Sequence, residues 1–163
     1  ACSIAKQRPE YMAAFRKTER KWGVPVHVQM AAMYQESKFK GDARTPLKYT
    51  LGVIPMGRQS SAFGYAQALD ATWEEYQKDQ GRRSARRDRI TDATDFMGWY
   101  MNLSRDRNGI ALDDATNQYL AYHEGHTGYS RGTFYGKSWL MRVASEVGRR
   151  SLDYRDQLSR CRR

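Results

Sequence analysis

The stretch PVHVQMAAMYQES, residues 25–37, decides how this chain is read. Pro25 opens a helix, since its missing N–H is not needed in a first turn. Val28, Ala31, Ala32 and Gln35 then fall on one stripe, and Met30, Met33 and Tyr34 widen the apolar surface. A helix with that pattern is nearly buried. It delivers Glu36 and Ser37 at its C-terminal end.

Further helices are read on either side of it. Pro9 opens one carrying Tyr11, Met12, Phe15, Thr18, Glu19 and Trp22, which Gly23 ends. Asp70 is expected to cap a helix with Trp73, Tyr76 and Gln77, and Gly81 lies beyond its end. Thr91 or Asp92 is expected to cap the next, whose stripe is Phe96, Met97, Tyr100, Met101 and Leu103 and whose stop is Asn108–Gly109. Asp113 or Asp114 caps another, with Ala115, Gln118, Tyr119 and Tyr122 on one side. Gly125, Gly128, Gly132 and Gly136 read as a Gly-rich turn. Trp139, Leu140, Val143, Ala144 and Val147 mark a last helix, with a short tail helix from Leu152 to Leu158. Gly41, Pro46, Gly52, Pro55 and Gly57 break any periodicity between residues 41 and 62. Within that stretch Tyr49, Thr50, Leu51, Val53 and Ile54 suit a short strand or hairpin arm. The expected fold class is mainly α: a single helical domain over residues 1–163, with a short β element or a long loop around 43–61.

The bulk numbers narrow the function. The chain has 163 residues, enough for one domain, and 40% of them are hydrophobic. Its 11 Tyr and 4 Trp against 5 Phe supply many rings with a flat apolar face and a polar edge, which serve cores as well as carbohydrate or interface surfaces. No run approaches the length that spans a bilayer. No signal peptide stands at the start; the chain begins at Ala1 rather than Met, so an upstream segment is expected to have been removed. The formal charge of +10 favours polyanions: nucleic acid, anionic membranes or cell-wall polymers. Its densest block is Arg82, Arg83, Arg86, Arg87 and Arg89, and a second lies at Arg160, Arg162 and Arg163. The plain reading of such blocks is a solvated face. The two cysteines, Cys2 and Cys161, stand at opposite ends without metal spacing. Either they form a disulfide, which implies an oxidising compartment, or Cys2 after Ala1 is the lipid-carrying residue of a lipoprotein.

Glu36 leads the candidate catalytic groups. A helix C-terminus disfavours negative charge and apolar neighbours exclude solvent, and both raise a carboxyl pKa toward the value a general acid needs. Glycosidic cleavage needs a proton delivered to a poor leaving oxygen. The plain alternative is a surface Glu paired with Lys38 or Lys40. His123-Glu124-Gly125-His126 resembles a zinc pattern only loosely, since its histidines are three apart and glycines break the helix; no metal and no cofactor are expected. A triad from Ser37 or Ser130 with His123 or His126 lacks the nucleophile elbow. Nucleic-acid binding by the Arg block lacks interleaved aromatics.

Three segments together carry a resemblance. Gln35-Glu36-Ser37-Lys38-Phe39 looks like the catalytic Glu-Ser segment of the soluble lytic transglycosylase family, peptidoglycan-cleaving relatives of goose-type lysozyme. Ala62-Phe63-Gly64-Tyr65-Ala66-Gln67, followed by Thr72-Trp73, resembles that family's Gly-Leu-Met-Gln segment. Ala121-Tyr122-His123-Glu124-Gly125 resembles its Ala-Tyr-Asn-x-Gly segment. The likeness covers about residues 20–145. Tyr65-Ala66 replaces the usual Leu-Met, His123 replaces Asn, and residues 43–61 look inserted.

The resemblance implies a lysozyme-like fold and a lytic transglycosylase acting on peptidoglycan glycan strands. In that role Glu36 is acid and then base, yielding 1,6-anhydro ends. Ser37, Gly64, Tyr65, Gln67 and Tyr122 are implied as substrate-binding residues, with Tyr122 hydrogen-bonded to Glu36, and Tyr129 as a sugar-stacking ring. Asp42, Asp70 and Glu124 are the carboxyls available for a two-carboxylate hydrolase. The expected setting is the periplasm or outer membrane, or secretion, as a monomer with a cell-envelope assembly as partner. The alternatives are a hydrolytic lysozyme and a non-catalytic binder of peptidoglycan or nucleic acid.

Overall fold

The computed structural model describes residues 1–44, 47–50, 54–58 and 60–161. It is mainly helical. In chain order come α1 (Cys2–Gln7), α2 (Pro9–Trp22), α3 (Val26–Ser37), β1 (Leu47–Thr50), β2 (Ile54–Arg58), α4 (Asp70–Asp79), α5 (Ile90–Asn108), α6 (Ala115–Arg131), a 3-10 turn (Thr133–Gly136) and α7 (Ser138–Cys161). The strands pair antiparallel, with Thr50 opposite Ile54 and Tyr49 opposite Pro55. They fall inside the irregular stretch; Leu51, Gly52 and Val53, read as strand or breaker, lie outside the described residues, as do Arg162 and Arg163.

Helix α3 is the axle of the core. Val28, Met30, Ala31 and Met33 are wholly buried, and α2, α5, α6 and α7 all pack on it. Even its Gln29 is buried, because the side-chain amide donates to the carbonyls of Phe15 (3.0 Å) and Val24 (2.8 Å) and so satisfies the chain where α2 turns into α3. That turn rests on Gly23, whose φ of 75° is the left-handed stop expected after Trp22. A second cluster of rings, Trp73, Tyr76, Phe96, Trp99 and Tyr100, locks α4 to α5. Beneath it Asp95 accepts from Tyr76, Trp22, Lys21 and Arg82.

Several boundaries differ from expectation. Asp70 is the first helical residue of α4 rather than its cap, and its backbone N–H donates to Ser61 Oγ at 3.0 Å. Neither Thr91 nor Asp92 caps α5; Arg89 stands at the cap, and Asp92 is spent on Arg82 and the Arg86 N–H. Asp114 does cap α6, accepting from Asn117 N–H at 3.1 Å. The Gly-rich turn begins later than read. Helix α6 runs to Arg131 across a kink at Gly125 (φ 79°, ψ 164°), and only Gly132 ends it. The last helix and the tail helix are one, α7, because Leu140, Ala144, Val147, Ser151 and Leu158 keep a single inward stripe. Helix α1 has no buried residue and gave no periodic signal.

Cys2 and Cys161 are joined by a disulfide that ties α1 to the end of α7, 159 residues apart in sequence. The Ala1 ammonium donates to Gln157 Oε1 at 2.7 Å beside it. No described helix is long and apolar enough to cross a membrane. Loop-closure entropy sets the disulfide's effect at about 2–5 kcal/mol. Replacing both cysteines by serine is expected to lower the melting temperature by roughly 5–15 °C in calorimetry; an unchanged melting point would show that α1 and α7 hold each other without it.

Candidate active site

Glu36 sits in the last turn of α3, which stops at Lys38 in the left-handed conformation (φ 52°). The side chain keeps some accessible surface, yet protein crowds it closely enough that burial raises its carboxyl pKa to about 8. Among the described residues no charged neighbour contributes to that rise. Lys38 and Lys40, the partners that a plain surface Glu would take, form no ion pair with it. At neutral pH the group is therefore a protonated acid. Ser37 is buried, and its hydroxyl donates back to the Met33 carbonyl at 3.2 Å, which leaves its oxygen as an acceptor.

The second segment folds as a tight loop, held from three directions. Gly64 N–H donates to Ala43 O at 3.0 Å, which anchors it to the chain leaving α3. Tyr65 N–H donates to Arg87 O at 3.3 Å. Tyr122 O–H donates to Ala66 O at 2.5 Å, which anchors it to α6. Gly64 has φ 84°, and a Cβ there would stand 2.1 Å from the Arg87 carbonyl oxygen. Only glycine fits so close an approach. Gln67 is itself at φ 51°. Its amide donates to Ala43 O (2.8 Å) and Gly64 O (2.9 Å), so the side chain braces the loop and keeps only its oxygen free. Tyr65 lies edge-on to Tyr11, and their hydroxyls are 2.8 Å apart.

Arg87 was read as part of a solvated block, but it organises this loop. Its guanidinium donates to Ser61 O and Ala68 O and pairs with Asp70 at 2.8 Å. It also lies over the Phe63 ring, with Arg44 close to the same ring. The rest of the block is largely engaged too. Arg82 pairs with Asp92 and Asp95, Arg86 with Asp88, and Arg89 with Asp92. The sequence signal is the set of aspartates at 88, 92 and 95, within and just after the arginine block.

Tyr122 links the parts. Its hydroxyl pKa is pushed well up, first by burial and then by the charge of Glu36; Tyr119 feels Glu36 as well. The expected hydrogen bond from Tyr122 to Glu36 is not the one it donates, because the Ala66 carbonyl takes that proton. Tyr122 also lines a cavity of about 180 Å³ together with Gln67, Thr72, Phe96, Tyr100 and His123. Thr72, Phe96 and Tyr100 were not foreseen there: Phe96 and Tyr100 belong to the apolar stripe of α5, and Thr72 stands beside Trp73 in the second motif. Tyr129 does not line this cavity. One face of its ring is stacked on Phe134 (5.1 Å), and its hydroxyl donates to Asn117 at 2.9 Å. His126 stacks on Tyr100, and burial pushes its pKa down to about 4.

The other candidate carboxyls are exposed or already paired. Asp42 is exposed, Asp70 is paired with Arg87, and Glu124 accepts from Lys137 Nζ at 2.9 Å, which holds it below the usual range against the cost of its own burial. Among the described residues no group of three or more acidic, His or Cys side chains is placed to hold a metal. Over residues 1–161 the chain matches the Transglycosylase SLT domain family. No curated protein and no solved structure matches it.

Two outcomes follow from this geometry. Gly64→Ala is expected to destabilise the fold by about 2–4 kcal/mol, readable as a lower urea midpoint, since the added carbon meets backbone. The second concerns Glu36. Unfolding returns a raised carboxyl to its ordinary value of 4.5, so between there and about 8 the unfolded chain binds fewer protons and stability falls as pH rises. Glu36→Gln is expected to melt roughly 8–15 °C above wild type at pH 8, with the gap closing toward pH 4. Parallel melting curves would mean that the carboxyl is ordinary.

Proposed function

Because the chain belongs to the Transglycosylase SLT domain family, we propose that it cleaves the MurNAc–GlcNAc β-1,4 bond of peptidoglycan with Glu36 as its single acid and base. Family membership supports lytic-transglycosylase-type activity on glycan strands and a lysozyme-like helical unit, which we take to span residues 1–163. The observation that carries the finer reading is the Glu36 carboxyl, raised to about 8 by burial, with no charged group among the described residues contributing to the rise.

The chemistry then runs in two steps on one side chain. Protonated Glu36 gives its proton to the glycosidic oxygen as the C1–O bond breaks. The substrate's N-acetyl group supports the oxocarbenium- or oxazolinium-like state. Ionised Glu36 takes the proton from the muramoyl C6 hydroxyl, whose oxygen closes on C1. The product is a 1,6-anhydro end, and no water is consumed. An intramolecular hydroxyl has an effective concentration far above that of an ordered water, so no second carboxylate is needed to steer it. Tyr122 and Tyr119, close enough to sense the charge on Glu36, are the groups that would feel each change of protonation. Ser37 and Gln67 offer oxygens to sugar N–H and O–H groups, while Gly64 and Tyr65 shape the loop between them.

A hydrolytic lysozyme would need a second carboxylate within about 5–9.5 Å of the first. Of the candidates, Asp42 is exposed, Asp70 is paired with Arg87 and Glu124 with Lys137, which favours the single-carboxylate reading. A nucleic-acid binder would need the Arg block free, but most of it is neutralised by aspartates. The disulfide supports an extracytoplasmic site of action, in the periplasm, at the outer membrane or in secretion. The net charge of +10 would hold the enzyme, as a monomer, near the carboxylates of peptide stems and near an envelope assembly.

Digestion of purified peptidoglycan tests this directly. Mass spectrometry is expected to show muropeptides one water lighter than hydrolysed ones, and Glu36→Gln, checked for folding, is expected to lose at least about a hundredfold in rate. Activity should fall as pH rises through about 8, where the acid loses its proton. Hydrated products alone would establish the lysozyme reading, and near-normal activity of the Gln variant would remove Glu36 from the mechanism.

A further inference from the structure

Trp139 is 49% exposed at the start of α7, although an indole left in water forgoes most of its favourable burial. The fold does not need it there. The inward stripe of α7 begins at Leu140, and Trp139 lies off it. The other tryptophans serve the interior. Trp73 and Trp99 are buried, and Trp22 donates its indole N–H to Asp95. The Trp139 ring is nevertheless held. It meets the His123 ring edge-to-face, with centroids 5.5 Å apart and planes at 79°.

His123 lines the cavity beside Gln67 and Tyr122. The next residue, Glu124, also lines it and pins Lys137, two residues before Trp139, at 2.9 Å. The dipeptide His123–Glu124 therefore fixes both ends of the Lys137–Trp139 segment against the cavity wall. It can do so because α6 breaks immediately afterwards at Gly125, whose backbone conformation suits glycine alone.

We propose that Trp139 is a stacking platform for an N-acetylated sugar ring, forming a binding subsite that continues the cavity outward past His123. This rests on the glycan reading of the site above. One face of a pyranose presents a patch of C–H groups, which suits a flat, electron-rich indole face. Lys137, half exposed and held by Glu124, has further N–H donors for hydroxyl or acetamido oxygens at the same edge. Tyr129, the ring that the motif pattern suggested, has one face already covered by Phe134.

The test uses tri-N-acetylchitotriose, a neutral oligosaccharide, titrated into the full chain. Trp139 is the most exposed tryptophan, so its emission is expected to shift to the blue and to become protected from acrylamide as the trisaccharide binds. Trp139→Ala is expected to weaken binding in calorimetry about tenfold and to lower kcat/KM on peptidoglycan by a similar factor, carried by KM, while Trp139→Phe retains most of both. Binding untouched by Trp139→Ala, emission that stays unchanged, or no binding to wild type would each overturn the subsite. Normal muropeptide release in Trp139→Ala would overturn it too and leave the role of Glu36 standing, whereas failure of the glycan reading itself would appear as no muropeptide release by the wild-type chain.

Discussion

A carboxyl placed at the end of a helix that is apolar on almost every side cannot be hydrated as it would be in water. That constraint organises this protein. Burial of α3 is demanded by its sequence, since Val28, Met30, Ala31 and Met33 leave no polar face to turn outward. Tyr34, Gln35 and Glu36 are where the helix meets solvent again, and each meets it only partly. The energetic cost of ionising a carboxyl there is borne by the fold as a whole, through the helices that pack around α3. The stability lost at one position is what leaves a proton available for chemistry.

The rest of the site is assembled by backbone pairing rather than by side chains aimed at Glu36. Residues 62–67 are tethered to the chain after α3, to Arg87 and to Tyr122 on α6, through carbonyls and amides that hydrogen-bond with little freedom. This explains why the loop contains a glycine in left-handed conformation and a glutamine forced near it. Both are consequences of bringing one backbone against another. Arg87 supplies the cation that closes the loop's open side, and Asp70 keeps that cation in place. Chemistry and architecture therefore share residues. Tyr122 is at once a loop anchor, a cavity wall and the hydroxyl that feels the charge of Glu36.

Much of the fold was legible because periodicity and stop signals agree. Pro9, Gly23, Gly109 and Asp114 do what their chemistry dictates. Legibility failed where one residue type serves two purposes. Asp70 and Asp92 have the composition of caps but are committed to arginines, and no single-residue rule reveals which partner wins. Gly125 reads as a turn residue, yet α6 resumes beyond it, since a single non-helical residue between two good helical runs produces a kink. In the site, Glu36 and its neighbouring segments could be picked out only because three segments together resemble a family's motifs; periodicity alone would have left Glu36 an ordinary surface glutamate. The direction of Tyr122's hydrogen bond could not, because it depends on which acceptor lies nearer in space. Tyr129 and Trp139 make the same point for rings. Both are aromatic positions near the glycine-rich stretch, and only packing shows that Phe134 covers a face of one while the other stays half open.

The central claim is that a single carboxyl holds its proton at neutral pH because the fold has removed its water. Carbon-13 NMR of side-chain carboxyl groups in glutamate-labelled protein, with the Glu36→Gln spectrum used for assignment, measures that directly. The account predicts that the Glu36 resonance titrates with a midpoint near 8, far above the other glutamates. A midpoint between about 4 and 5, the ordinary range of a solvated glutamate, would contradict it.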